Sequence, residues 1–285
     1  MGGGYWDSKA SAAVIRDLGF RGASAMSNAN AQMVYRARGL DSMLNPYNVV
    51  RECRDSNDHP HSLPVILALD VTGSMGHAAT TCAAKLDETM TELYKNNNDV
   101  EFCVMGIGDF TCDDAPLQVT QFESDIRILE QTLKLYFEGG GGGNKWESYT
   151  AAWYFGLHNC AFDCWDRGER GIIITIGDES LNPVLPGARI KEVIGGQTVG
   201  DVDTKQLYAA ASERFDIYHI AITDQSSYEW HKKLIEETWR PLLGDHLIIA
   251  ESSSLPQIIA AIVNSSDRTM TTPSVVVNNN DGISW

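Results

Sequence analysis

The sequence lacks any apolar run close to the roughly 18–20 residues that cross a bilayer. Its longest, at 65–69 and 172–176, are the length of a strand. Positive charge is scarce: 22 Lys and Arg stand against 38 Asp and Glu, a net charge of −16. Nucleic acid and anionic membranes are polyanions and are repelled by such a chain, which argues against both as partners. The six cysteines (53, 82, 103, 112, 160, 164) form no C-x-x-C pair and no zinc-type spacing. Cys160 and Cys164 would lie one helical turn apart, and reduced thiols in a cytoplasmic protein are the expectation. The start, Met1-Gly2-Gly3-Gly4-Tyr5-Trp6, lacks the basic and apolar stretches of a secretory leader.

What is present is ample material for a core, with 43% hydrophobic residues over a length that allows one large domain or two small ones. Composition divides the chain into an N-terminal extension (1–60), a patterned region (61–264) and a C-terminal tail (265–285). The extension is rich in Gly, Ala, Ser and Asn and shows two short helical stretches, at 11–18 and 29–38. In the patterned region, β-rich runs at 65–70, 100–106, 117–122, 171–177, 217–222 and 246–250 alternate with helical spacings. The helices are expected at 79–93, 125–136, 147–162, 206–214, 228–240 and 255–263. Strands alternating with helices imply an α/β fold, a mostly parallel central sheet with helices on both faces. Ligands of such sheets bind at the carboxyl ends of the strands, near a topological switch point.

The first strand runs out into Asp70-Val71-Thr72-Gly73-Ser74-Met75-Gly76, directly before a helix. Oxygen-bearing side chains stand at every second position of a short loop, so they can converge on one ion. Magnesium takes a compact octahedron of oxygens at about 2.0–2.1 Å and keeps some water. Hydroxyl ligands leave such a cation incompletely neutralised and receptive to a carboxylate from elsewhere. The same three residue types also suit a turn and helix cap.

Asp-x-Thr-Gly-Ser-Met resembles the Asp-x-Ser/Thr-x-Ser motif of the metal-ion-dependent adhesion site in von Willebrand factor type A domains. The resemblance covers about residues 63–264 and implies the three-layer, Rossmann-like form of that family. It implies a metal site at Asp70, Thr72 and Ser74, with Asp178, at the end of the strand 172–176, as the family's distal aspartate. The family also supplies a threonine from a Gly-rich loop. Here the glycine run at 139–143 leads into Asn144-Lys145-Trp146-Glu147-Ser148-Tyr149, so Glu147 or Ser148 stands near that place. Thr150 lies too far into the helix. Glu147 is slightly preferred, because a carboxylate at a helix start gains from the dipole. The cofactor implied is Mg2+, or Mn2+ or Ca2+, and the partner is a protein, held through an acidic side chain at the metal. Together with Arg51-Glu52-Cys53-Arg54-Asp55-Ser56-Asn57-Asp58-His59-Pro60, the motif resembles small stand-alone bacterial or phage type A proteins. At family level an AAA+ ATPase of the MoxR type is a further expected partner.

Other readings are weaker. Thr72-x-Ser74-x-Gly76 is a near miss to the hydrolase nucleophile elbow, but no convincing strands precede it. Asp70-Val71-Thr72-Gly73-Ser74 is similar to the phosphorylation loop of P-type ATPases, with Val71 where lysine belongs. A hydrolase acting through Ser74 or Asp70 is therefore the lesser alternative, and a non-enzymatic role is expected. The stronger rival is a subunit of a homo-oligomer held by its terminal extensions. Asp109, closing the second strand, could face the cleft, although a solvated loop aspartate is the simpler reading. His59 and His61 read as loop histidines. In the tail, Val275-Val276-Val277 could add a strand to a neighbour, Trp285 could anchor it and Asp281 could reach a neighbour's metal.

Overall fold

The computed structural model describes residues 4–97, 99–138, 144–197, 200–225, 227–266 and 268–270. Three helices come first: α1 (Ser8–Asp17), α2 (Ala23–Ser27) and α3 (Ala31–Val34). Then follow β1 (Leu63–Asp70), a 3₁₀ turn (Gly73–Met75), α4 (Gly76–Ala84), α5 (Leu86–Leu93), β2 (Val100–Ile107), β3 (Leu117–Val119) and α6 (Arg127–Thr132). The second half runs α7 (Thr150–His158), α8 (Asp163–Asp166), β4 (Gly171–Gly177), α9 (Gly187–Val193), α10 (Thr204–Ser212), β5 (Phe215–Ile222), α11 (Tyr228–Leu243), β6 (Leu247–Ala250) and α12 (Leu255–Ser265).

The six strands form one sheet in the order β3-β2-β1-β4-β5-β6. All neighbours are parallel except β3, which runs antiparallel to β2. The winding reverses between β1 and β4, so the switch point lies where Leu69 pairs with Ile176. β1, β2, β4 and β5 are buried along their whole length, as expected of strands covered on both faces. Alternation along β1 sends Val65, Leu67 and Leu69 into one apolar layer with α4, α5 and α12. Ile66 and Ala68 enter the other, with α7, α10 and α11.

The N-terminal extension is built onto the first of these layers. Met26, Val34, Tyr35 and Leu44 are buried in the same cluster as the sheet. The Tyr35 hydroxyl donates to the Ala79 carbonyl at 2.7 Å, and buried Arg51 donates to the carbonyls of Met43 and Val119 at 2.7 and 2.9 Å. Residues Arg51–Cys53 also pair in parallel with Cys160–Phe162.

That pairing corrects one expectation. The segment 147–162 is not one helix: Trp146–Glu147 is extended against Ser180–Leu181, α7 follows, and Cys160–Phe162 is a strand. Cys160 and Cys164 therefore do not share a helix; all six thiols are free and only Cys112 is exposed. Likewise the helix expected over 79–93 divides at Lys85, and that over 29–38 shrinks to α3. His59 lies in a loop as expected but is wholly buried, with Nε2 2.9 Å from the Gly4 carbonyl and 3.0 Å from Ser124 Oγ. The expectations for Val275, Asp281 and Trp285 lie outside the described residues. Among the described residues, no helix is long and apolar enough to cross a membrane.

At the amino end of β2, Glu101 is buried with Oε1 lacking a hydrogen-bond partner. Burial pushes its carboxyl up to about 7, against smaller opposing effects of Cys53 and His59. A group raised in the folded state stabilises fully below its unfolded value and loses that contribution as pH rises through the folded one. Melting temperature should thus fall between pH 5 and 8 more steeply in the natural protein than in Glu101→Gln, as scanning calorimetry would measure. Met26→Ala should destabilise the whole fold by about 2–5 kcal/mol, with one cooperative transition in urea; an unchanged midpoint would show that the extension is only appended.

Candidate metal centre

Asp70 is the last residue of β1 and is fully buried. Its Oδ1 accepts from the Thr72 amide at 2.8 Å and the Thr72 hydroxyl at 2.6 Å. Its Oδ2 accepts from the Tyr149 hydroxyl at 2.8 Å. Asp178 follows β4 directly and is also fully buried. Its Oδ1 accepts from Ser74 Oγ at 3.0 Å, and its Oδ2 from the hydroxyl of Ser227, at the head of α11. The parallel neighbours β1 and β4 thus bring two hydrogen-bonded pairs, Asp70 with Thr72 and Asp178 with Ser74, together at the switch point. A hydroxyl that donates to a carboxylate keeps its lone pairs, so Thr72 and Ser74 can still serve as ligands.

Glu147 sits elsewhere than expected. It lies in the extended pair with Ser180–Leu181, three residues before α7, and so gains nothing from that helix's dipole. It is buried, and its Oε2 has no hydrogen-bond partner. Ser148 turns away: its hydroxyl accepts from the Phe110 amide at 2.9 Å. Thr150 is engaged by Asn182 at 2.6 Å. Asp109 is buried, not solvated, and holds the amide and hydroxyl of Thr111, each at 2.8 Å.

Electrostatics single out this end of the sheet. Burial, reinforced by the charge of Asp178, raises the Asp70 carboxyl. Burial also raises Asp178, against the donors Ser227 and Ser74. Glu147 is raised by burial and then by the charge of Asp70, and Glu179 is pushed up to about 8 by burial and then by Asp178 and Asp70. Among the described residues, no lysine or arginine ion pair is shown for Asp70, Glu147 or Asp178. The His231 imidazole stands 2.5 Å from Glu179, and its influence on Asp178 is to lower that carboxyl. Buried carboxyls that raise one another are eased by a cation, and the donors here are all oxygen, the chemistry of a hard divalent ion. Among the described residues, no three His, Cys, Asp or Glu side chains converge closely enough to hold a metal by themselves. A metal here would have to draw on the hydroxyls as well.

Tyr149 and Ser227 escaped the sequence reading. Tyr149 fell unremarked within the helix expected over 147–162, and Ser227 just before the one expected over 228–240. Ser227 makes no side-chain cap bond to α11, which leaves its hydroxyl for Asp178. The signal that could have revealed Tyr149 is Gly177: a Cβ there would stand 1.9 Å from the Tyr149 hydroxyl.

No family model and no curated protein matches the chain. Solved structures do share part of its path. The pilus adhesin SpaC from Lactobacillus rhamnosus GG, in its open conformation, is 13% identical over 74% of this chain, with a TM-score of 0.47. This chain spans only 30% of that adhesin's length. An aerotolerance-related membrane protein from Bacteroides fragilis NCTC 9343 is 13% identical over 72% of this chain and 100% of its own, with a TM-score of 0.42. Proximal thread matrix protein 1 from the mussel byssus is 11% identical over 75% of this chain and 49% of its own, with a TM-score of 0.48.

Gly177→Ala forces Tyr149 off Asp70 and should cost about 1–3 kcal/mol in urea unfolding. In a Tyr149→Phe background, where the opposing hydroxyl is gone, the same change should cost less. Equal costs in the two backgrounds would show that the two residues are not coupled.

Proposed function

We propose that this chain is a protein-interaction module of the von Willebrand factor type A kind, gated by a divalent cation. The observation that carries this reading is the pair of buried carboxylates at the switch point, Asp70 and Asp178, clothed in hydroxyls and lacking a lysine or arginine. Asp70, Thr72, Ser74 and Asp178 would hold the ion, magnesium in the first instance, with manganese or calcium as alternatives. Glu147, whose buried Oε2 is unpartnered, is the fifth candidate ligand in preference to Ser148. Bound there, the cation supplies a Lewis-acidic position for an oxygen of the partner. A third carboxylate at the ion would weaken its hold on a partner's carboxylate, so binding would be more readily reversible.

Two further features fit a binding surface. Trp230 lies three residues beyond Ser227 and is 86% exposed. Exposed aromatics of this kind anchor interfaces. Ser74 Oγ is committed to Asp178, and no histidine bonds it, which supports a binder in preference to a hydrolase. With its thiols free, the chain is read as a cytoplasmic adaptor or assembly component. A homo-oligomeric role is the second reading, favoured by Leu40, Met43, Tyr47 and Val50, all exposed on the extension. Light scattering with and without chelator separates the two: an adaptor stays monomeric, whereas an assembly subunit forms larger species.

Calorimetry at neutral pH should show magnesium or manganese binding, with a melting temperature that rises as the ion is added. Asp70→Ala should abolish both effects while leaving the circular dichroism of the sheet intact. Glu147→Gln should weaken affinity by about tenfold or more, and Ser148→Ala far less. The reverse order would assign the ligand to Ser148, and an absence of divalent binding by the natural protein would refute the reading.

A further inference from the structure

Beside the metal loop the surface is hollowed twice. A cavity of about 430 Å³ is bounded by Asn28, Asn30 and Gln32 of the extension, by Gly73 and His77 of the loop and α4, and by Phe137. A second, of about 670 Å³, shares Gln32 and Phe137 and continues to Tyr35, Arg36, Arg38 and Tyr136. The shared lining makes them one groove that starts at the metal loop and ends at two arginines. Its floor is firm: Tyr35 and Phe137 stack at 6.2 Å and 17°, and the Tyr35 hydroxyl is tied to Ala79.

The charge of the groove is opposite to that of the molecule. Residues 18–40 carry Arg21, Arg36 and Arg38 and no Asp or Glu, in a chain of net charge −16. Arg36 is pinned by bonds from Nε to the Met33 carbonyl at 3.1 Å and from Nη2 to the Leu18 carbonyl at 2.5 Å. Neither Arg36 nor Arg38 meets a carboxylate among the described residues, and both are exposed. Between the arginines and the metal loop, the Gln32 side chain makes no hydrogen bond among the described residues, and Asn30 accepts through its Oδ1. Such carboxamides can donate to and accept from the backbone of an extended chain.

We propose that this groove receives an extended, acidic segment of a partner protein, with one carboxylate at the metal and a second on Arg36 and Arg38. The inference rests on the metal-gated reading above and deepens it, since it makes the N-terminal extension half of the recognition surface. A lone carboxylate at a metal carries little sequence information. A second acidic residue at a fixed remove would add register and direction.

Phage-displayed decapeptides selected on the full chain in magnesium test the idea. The selected peptides should be acidic and should bind more weakly as sodium chloride rises. Arg38→Glu, a change at an exposed side chain that makes no hydrogen bond or ion pair among the described residues, should weaken them roughly fivefold or more while magnesium affinity by calorimetry stays unchanged. Arg36→Glu combined with Arg38→Glu should weaken them further. Peptides without an acidic excess, no enrichment, or magnesium-dependent binding that Arg38→Glu leaves untouched would each overturn the groove. Failure of the metal reading shows separately, as an absence of magnesium heat in the natural protein.

Discussion

Two carboxylates at the ends of adjacent parallel strands govern this molecule. Asp70 and Asp178 are fully buried, and an ionised carboxylate in such a place is costly unless other groups address its charge. The fold answers with hydroxyls. Thr72 and Tyr149 donate to Asp70, while Ser74 and Ser227 donate to Asp178. These donors come from the loop 70–76, the head of α7 and the head of α11, so three connections are positioned around one pair of acids. Gly177 leaves the space through which Tyr149 reaches across the end of β4. Hydroxyls meet hydrogen-bonding needs without supplying charge, and the carboxyls accordingly stay raised.

The surroundings carry that logic outward. Behind Asp70 the aromatic group of Tyr149, His219 and Trp239 fills the layer under α11, with His219 stacked on Trp239 at 3.7 Å. Burial lowers the His219 imidazole to about 3, so it is neutral and adds no charge to the acids nearby. On the other face, α4 follows the loop 70–76 and is itself the seat of the N-terminal extension, whose Met26, Val34, Tyr35 and Leu44 share the core layer beneath the site. The extension's arginines are the positive counterpart to an otherwise acidic surface.

How much of this was legible depended on the range of the interaction. The inner strands were readable because a strand buried on both faces is mostly apolar, as 65–69 and 171–174 are. Their neighbours are harder. Arg51–Cys53 and Cys160–Phe162 are three residues each and exist by pairing across more than a hundred positions. Glu147 was misplaced for the same reason. Local pattern put it on a helix, whereas two bonds' worth of pairing with Ser180–Leu181 holds it extended. His59 and Asp109 read as loop residues because their burial comes from distant chain, Gly4 and Ser124 for one, Asn144 for the other.

By itself the sequence determined the class of fold, and it picked out Asp70, Thr72, Ser74 and Asp178, which the fold gathers at one end of the sheet. Periodicity, strand composition and a short loop motif are local properties, and each is written in consecutive residues. Tertiary structure alone decided that Glu147 and not Ser148 keeps an unpartnered oxygen. It also decided that Tyr149 and Ser227 complete the hydrogen bonding, and that the first sixty residues wall a groove beside the loop. Those outcomes depend on which buried polar atom finds a donor first. That competition is settled between groups far apart in the chain, where no pattern of neighbours records it.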